Sequence, residues 1–83
     1  MAIKVYGTDW CHDTQTTRNY LDQIRIPYDY IDIDKDQSGK KWVIEQNYGK
    51  QKTPTVEIEG KVMSVPSNSQ IEGVLQQLKF AVT

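Results

Sequence analysis

Cysteine occurs only once in this sequence of 83 residues, as Cys11. One cysteine cannot close an intramolecular disulfide, and it cannot by itself supply a zinc site. The fold must therefore be held together by packing. The lone thiol is then either a small buried side chain or a reactive group.

An excess of charge of one sign is also missing. Ten basic side chains stand against eleven acidic ones, and the net charge is -1. Nucleic-acid phosphates and anionic lipids are attracted by basic fields, which this balance does not provide. Neither nucleic acid nor a membrane surface is expected as a partner.

Long apolar runs are absent as well, since no stretch approaches the ~18 residues that span a bilayer. The first residues, MAIKVYG, enter a strand-like pattern without an apolar signal region. A cytoplasmic location is the expectation. Because the length lies below the common domain size of about 100–150 residues, one domain over residues 1–83 is predicted.

The first half of the chain predicts two strands around one helix. Residues 3–6 are strand formers, and residues 28–33 alternate with the period of a strand. Between them, residues 11–24 contain nothing that breaks a helix and carry apolar or small side chains at helical spacing. Asp9 or Thr8 is the predicted cap of that helix.

The second half predicts a helix, a hairpin and a final helix. Residues 37–39 have turn composition, and residues 42–48 show helical spacing that ends at Gly49. Residues 55–59 and 61–65 are strand-like and flank a short turn, which favours antiparallel pairing with Val56 and Ile58 facing inward.

The final helix starts where two serines each fit a capping box, Ser67 with Gln70 and Ser69 with Glu72. An apolar stripe follows, formed by Ile71, Val74, Leu75 and Leu78. The resulting order, β-α-β-α-β-β-α, predicts an α/β fold with a four-stranded mixed sheet flanked by helices.

Three stretches, KVYGTDWCHDT, KTPTVEIEGK and SNSQIEGVLQQL, stand in an order and at separations that resemble the glutaredoxin branch of the thioredoxin superfamily. The resemblance runs over roughly residues 2–78. It implies a thioredoxin-like fold and thiol-disulfide exchange with glutathione as co-substrate.

Cys11 is the predicted nucleophile. A thiol reacts as its thiolate, and a helix start lowers the pKa of a thiol through unpaired N–H groups and the helix dipole. His12, if protonated, would lower the pKa of Cys11 further, whereas Asp9 and Asp13 would raise it.

Thr14 stands where the dithiol members of the family carry a second cysteine. A mixed disulfide at Cys11 would then lack an internal resolving thiol, and glutathione or another small thiol must release it. The resemblance thus implies monothiol exchange. The expected partners are that small thiol and proteins bearing disulfides or glutathione adducts.

The resemblance places Thr53 and Pro54 at the cis-proline step whose backbone aligns a thiol peptide. It makes Trp10 a platform beside the thiol, and it puts Gln51 where the carboxylate of the ligand's glycine end is held. A second position for that carboxylate, a lysine in the family, falls on Thr8.

The other end of glutathione is implied to meet the start of the last helix at Asn68 and Ser69. There the family has a glycine pair, whereas this chain has Pro66 and Ser67. His12 completes the predicted binding residues around the thiol.

Two other functions stay open. The first is an iron–sulfur carrier that dimerises through Cys11 and two glutathiones, but residues 12–14 depart from the Cys-Gly-Phe-Ser pattern of such relatives. A monomer is therefore favoured over that dimer. The second is a redox-inactive module that binds a peptide between Cys11, Pro54 and Asn68. Residues 32–36 have the first spacings of a calcium loop without its glycine and closing glutamate, so no metal site is expected.

Overall fold

The computed structural model describes residues 2–78. They form seven elements in the predicted order: β1 Ile3–Gly7, α1 His12–Gln23, β2 Asp29–Asp32, α2 Gln37–Gln46, β3 Thr55–Ile58, β4 Lys61–Ser64 and α3 Asn68–Gln77. No helix within this part of the chain combines the length and apolar character that crossing a membrane requires.

The strands form one mixed sheet in the order β2-β1-β3-β4. β1 is parallel to β2 and antiparallel to β3, and β3 is antiparallel to β4. The predicted α/β architecture is thereby confirmed. Because Tyr6 lies opposite Thr55, the loop that follows β1 and the turn that precedes β3 meet at the same end of these two central strands.

The core has two parts, one on each face of the sheet, because neighbouring strand residues point to opposite faces. The larger part packs β1 and β3 against α1 and α3 through Ile3, Val5, Leu21, Val56, Ile58, Ile71, Val74 and Leu75. The smaller part packs α2 through Tyr6, Ile33 and Val43, and Trp42 stacks on Tyr6 with ring centroids 4.3 Å apart. Each fully buried aliphatic side chain contributes about 1.5–3 kcal/mol.

The start of α1 differs from the predicted one. Its N-cap residue is Cys11, in extended conformation and without a side-chain cap hydrogen bond, so the prediction of Asp9 or Thr8 as the cap is wrong. The reason is a turn before the helix, in which the Cys11 N–H donates to the Thr8 carbonyl at 3.2 Å. Thr8 is buried there, and the Asp9 carboxylate instead accepts the Tyr30 hydroxyl at 2.8 Å.

The start of α2 also differs, because the predicted turn at residues 37–39 is the first turn of the helix. Asp36 is its N-cap and accepts the Gly39 N–H at 2.9 Å, which is the preferred role of aspartate at a helix start. A glycine is needed inside this helix because a Cβ at Gly39 would lie 2.8 Å from Cγ2 of Ile31. Contact with the sheet, not turn formation, therefore accounts for the glycine.

The hairpin agrees with its prediction. Glu59 and Gly60 both have positive φ, at 48° and 86°, as a tight two-residue turn between antiparallel strands requires. Val56 and Ile58 are fully buried, which confirms that they face inward.

The predicted capping box of Ser67 with Gln70 is confirmed at the start of α3. The alternative, Ser69 with Glu72, is not the cap, and the Glu72 carboxylate accepts the Gln76 amide at 3.2 Å. The apolar stripe is buried except at its last member. Leu78 is 40% exposed and is the C-cap residue that follows the last helical residue.

Candidate functional site

Cys11 lies beyond the C-terminal end of β1, where the loop after this strand enters α1. It is a free cysteine of intermediate exposure, and its carbonyl accepts the Gln15 N–H at 3.1 Å, which starts the helix. The side chain therefore projects beside the unpaired N–H groups of the first helical turn. This is the position that sequence analysis predicts for it.

Thr53 contacts the sulfur of Cys11 from the opposite side of the site. Its Oγ1 donates to Sγ at 3.3 Å, and Sγ lies 3.6 Å from the Thr53 carbonyl oxygen. The Thr53–Pro54 peptide bond is cis, Pro54 is buried, and the Pro54 carbonyl accepts the Val65 N–H at 2.8 Å. The turn before β3 and the start of α1 thus form one site around the thiol.

The pKa of the Cys11 thiol is lowered by these surroundings. Partial burial by itself raises this pKa because it disfavours the charged thiolate. The Thr53 hydroxyl, which donates to the sulfur, acts in the opposite direction, as do the Thr14 hydroxyl and the backbone N–H groups of Thr14 and Asp13, and together these polar groups outweigh burial. The thiolate, which is the nucleophilic form, is favoured as a result.

Thr14 and Thr8 are buried threonines near this thiol, and each has a side-chain oxygen without a hydrogen-bond partner within residues 2–78. Thr53 is therefore the side chain that donates a hydrogen bond to the sulfur, whereas the Thr14 hydroxyl lowers the pKa of Cys11 without making one. Gly7 allows Thr14 to pack this closely, because a Cβ there would lie 2.5 Å from Cγ2 of Thr14. Burial also means that Thr8 offers no side chain to a ligand at the surface.

Trp10 precedes the cysteine and stands at the surface. Its side chain is 73% exposed, yet its Nε1 donates to the Asp34 carboxylate at 2.8 Å, which fixes the ring. Asp34 belongs to residues 32–36, for which the sequence shows only an incomplete calcium-loop spacing, and this contact with Trp10 is not predicted. His12 is the exposed first residue of α1.

A second set of contacts braces the loop that carries Trp10 and Cys11. The Asp9 carboxylate accepts the Tyr30 hydroxyl, the Arg18 guanidinium lies 3.8 Å from the centre of the Tyr30 ring, and one Arg18 nitrogen is 3.9 Å from Asp9. Burial, followed by the hydrogen bond to Asp9, raises the pKa of Tyr30, so its hydroxyl stays a donor. Sequence spacing could not predict this network, since it joins three separate elements.

The other predicted binding residues flank the Thr53–Pro54 turn. Gln51 is exposed in the loop before it, between Lys50 and Lys52. Asn68 is half-buried and Ser69 exposed in the first turn of α3. Among the hydrogen bonds of residues 2–78, none joins these three side chains to Cys11, whereas Thr53 does contact it. The same residues place no group of three His, Cys, Asp or Glu side chains that could hold a metal ion.

Comparison with known proteins gives consistent matches. The glutaredoxin family model matches residues 3–63. A Mycobacterium tuberculosis protein that carries the name glutaredoxin is 28% identical over 78 residues, which cover 93% of each chain. The thioredoxin-like protein BC3987 has a crystal structure with 28% identity and a TM-score of 0.69, covering 89% of this chain and 96% of that one.

Two further solved structures support the fold. The glutaredoxin-like NrdH-redoxin of Escherichia coli has a TM-score of 0.77 at 16% identity, with 89% of this chain and 95% of that chain covered. The Archaeoglobus fulgidus glutaredoxin has a TM-score of 0.74 at 21% identity, with 92% and 88% covered. The predicted thioredoxin-like architecture is confirmed by these neighbours. With a family model matched over most of its length and a thiol at the start of α1, this chain belongs to the glutaredoxin family, whose redox fold supports thiol-disulfide oxidoreduction.

Proposed function

We propose that this protein is a monothiol oxidoreductase in which Cys11 exchanges disulfides and glutathione, or another small thiol, takes the place of a second cysteine. The observation that carries the proposal is the environment of the sulfur. The only thiol of the chain lies at a helix start without a side-chain cap, partly exposed, and accepts a hydrogen bond from Thr53. Such an environment favours an accessible thiolate.

The exchange proceeds in two displacements. The Cys11 thiolate attacks the glutathione sulfur of a glutathionylated protein, the protein thiolate leaves and takes up a proton, and a Cys11–glutathione disulfide forms. A second glutathione thiolate then attacks the glutathione sulfur of this disulfide. Oxidised glutathione leaves, and Cys11 is again a thiolate. The net reaction converts one glutathionylated protein and one glutathione into the free protein thiol and one oxidised glutathione.

Glutathione would lie along the Thr53–Pro54 turn. The exposed ammonium groups of Lys50 and Lys52 stand beside Gln51 and suit the carboxylate of the glycine end. At the other end, the N–H groups of Asn68 and Ser69 are first-turn donors of α3 that the capping box does not use, and they suit the second carboxylate. Trp10 and His12 would border the ligand beside the sulfur.

The proposal is tested by the rate at which oxidised glutathione forms a mixed disulfide with the reduced protein between pH 4 and 10. Intact mass follows the adduct, and Cys11→Ser is the blank. We expect a single adduct and a rate midpoint below the ordinary thiol pKa of about 8.5. A slow reaction with an unshifted midpoint would contradict the proposal.

The iron–sulfur carrier is the less supported alternative. A cluster of this class takes four ligands, mostly thiolates, whereas each chain contributes one. The residues present therefore do not hold a cluster unless a second chain and two outside thiols join them. A coloured dimer after reconstitution with iron and sulfide would favour this alternative over the cytoplasmic monomer that we propose.

The Cys11→Ser variant also distinguishes the enzyme from a redox-inactive binding module. Peptide binding between Cys11, Pro54 and Asn68 depends on shape and backbone hydrogen bonds, and Cys11→Ser retains both. Monothiol exchange depends on the sulfur. Loss of function in the serine variant therefore favours the enzyme, and retained function favours the module.

A further inference from the structure

Asn47, at the end of α2, is a buried polar residue that the sequence does not single out. The residue is 5% exposed, and its carboxamide makes three hydrogen bonds within the protein. Nδ2 donates to the Val43 carbonyl at 2.7 Å and to Thr55 Oγ1 at 3.1 Å, while Oδ1 accepts the Ser64 hydroxyl. One carboxamide thus joins α2 to β3 and β4.

Thr55 extends this connection toward the thiol. It is fully buried at the start of β3, and its hydroxyl donates to the Lys52 carbonyl at 2.8 Å. A hydroxyl has one proton to donate. Because Asn47 donates to the oxygen of Thr55, the proton of Thr55 is left for Lys52, and the residue after Lys52 is Thr53.

The loop before Thr53 is held by the Gly49 N–H on the Ile44 carbonyl at 2.8 Å and by the Lys50 N–H on the Asn47 carbonyl at 3.2 Å, but residues 51–53 make no backbone–backbone hydrogen bond of their own within residues 2–78. Residues 47–54 contain no strand or helix, and Tyr48 is 97% exposed. The Thr53 hydroxyl nevertheless meets Cys11, a residue 42 positions away, within hydrogen-bond distance. Hydrogen bonds weaken steeply as distance and angle depart from their optimum. The position of Lys52 therefore decides whether Thr53 reaches the sulfur.

We propose that Asn47 and Thr55 are positioning residues for Cys11, which hold the Lys52–Thr53 segment so that the Thr53 hydroxyl donates to the sulfur. Neither residue touches the thiol itself. The proposal deepens the function proposed above, because it rests on Cys11 being the reactive group. The positioning role does not depend on glutathione binding.

The test measures the rate of Cys11 alkylation by iodoacetamide as a function of pH, whose midpoint reports the pKa of the thiol. Thr53→Val removes the hydroxyl that donates to the sulfur, and it shows how large a shift the loss of this bond causes. We expect the midpoint to rise by about 0.5–1 pH unit. Thr55→Val keeps the side-chain shape and removes the bond to Lys52, and we expect a rise in the same direction. Thr55→Ser, which restores a hydroxyl, should return the midpoint to that of the unmodified protein.

The double variant Thr53→Val, Thr55→Val shows whether Thr55 acts through Thr53. If it does, the midpoint of the double variant equals that of Thr53→Val alone, since contacts in one chain of hydrogen bonds are not additive. An unshifted midpoint for either single variant, or additive shifts in the double variant, would overturn the proposal.

A general loss of stability is separated from positioning by two variants of the Asn47 contacts. Asn47→Ala removes the bond to Thr55 and should raise the midpoint, whereas Ser64→Ala removes a partner of Asn47 outside the turn and should leave it unchanged. Thermal melts identify how much each destabilises the fold. Equal shifts for the two variants would show a merely structural role and overturn the proposal. Where Asn47→Ala does not fold, the Thr55→Val and Thr55→Ser pair decides the matter.

The alkylation readout keeps this proposal distinguishable from the proposed function. Iodoacetamide needs no glutathione site, so the midpoints can follow the expected pattern even in a protein that oxidised glutathione fails to modify. Conversely, rapid glutathione adduct formation with unshifted alkylation midpoints would support the exchange function and reject the positioning role.

Discussion

The N-termini of α1 and α3 solve the same physical problem in opposite ways. α3 begins with a complete capping box, in which Ser67 and Gln70 satisfy each other's backbone N–H groups. α1 begins with Cys11 at the N-cap and no side-chain hydrogen bond to its first turn. The N–H groups of Asp13 and Thr14 instead help to lower the pKa of the thiol. The capping box stabilises α3, whereas the N–H groups at the start of α1 stabilise the thiolate of Cys11.

The uncapped start of α1 is supported from outside the helix. A missing cap costs about 1 kcal/mol, and the loop before Cys11 is held by side chains from elsewhere in the fold. The Asp9 carboxylate accepts the Tyr30 hydroxyl, and the Trp10 indole donates to Asp34. α1 can leave its first N–H groups without a side-chain cap because these tertiary contacts hold the loop before it in place.

The largest effect is expected when α1 is given a side-chain cap. Serine is a preferred N-cap residue, so Cys11→Ser should abolish exchange and also raise the free energy of unfolding by about 0.5–1 kcal/mol. Cys11→Ala is the matched control, because it removes the thiol without adding a cap. Urea denaturation together with the glutathione adduct assay checks both effects. A serine variant no more stable than the alanine variant would contradict the expectation.

The converse change removes the cap of α3. Ser67→Ala should lower the free energy of unfolding by about 1 kcal/mol, which corresponds to a melting temperature about 4–8 °C lower in a domain of this size. Ser69→Ala lies outside the capping box and should have little effect on stability. Thermal melts of both variants, followed by circular dichroism, measure the difference. Equal melting temperatures would show that the capping box contributes nothing.

Weakening the contacts that hold the loop before α1 should have a smaller effect on the free energy of unfolding. Tyr30→Phe removes the hydroxyl that Asp9 accepts and keeps the ring beneath Arg18. We expect a loss of about 0.5–1 kcal/mol, as for an ordinary hydrogen bond. Tyr28→Phe, just before the same strand, serves as the comparison, since its hydroxyl makes only a 3.5 Å contact with Arg18. Urea denaturation would refute the expectation if the Tyr28 variant were the less stable one.

The pH dependence of stability gives the smallest expected signal. The pKa of Cys11 is lower in the folded protein than in the unfolded chain. Ionisation of Cys11 therefore stabilises the fold. This contribution is complete when the pH is above the unfolded thiol pKa of about 8.5, and it is lost as the pH falls through the lower pKa of the folded protein. Relative to Cys11→Ala, the unmodified protein should gain stability as the pH rises through that window. Denaturation at pH 5, 7 and 9 measures the gain, and a constant difference would contradict it.

Local sequence signals account for much of this fold. The period-two alternation predicts the strands, and the Ser67–Gln70 spacing predicts the start of α3 because a capping box involves residues only three apart. The start of α2 was misassigned because Gly39 resembles a turn residue until its contact with Ile31 is known. Leu78 fits the apolar stripe by spacing alone, but the helix ends before it.

The order of the elements and the position of a lone thiol at a helix start follow from the sequence, because periodicity, caps and turn residues act over a few positions along the chain. The surroundings of that thiol follow from the tertiary packing. The Thr53 hydroxyl reaches Cys11 across 42 residues, and the buried carboxamide of Asn47 contacts β3 and β4. Such contacts depend on the packing of the whole sheet and its helices, and no local pattern encodes them.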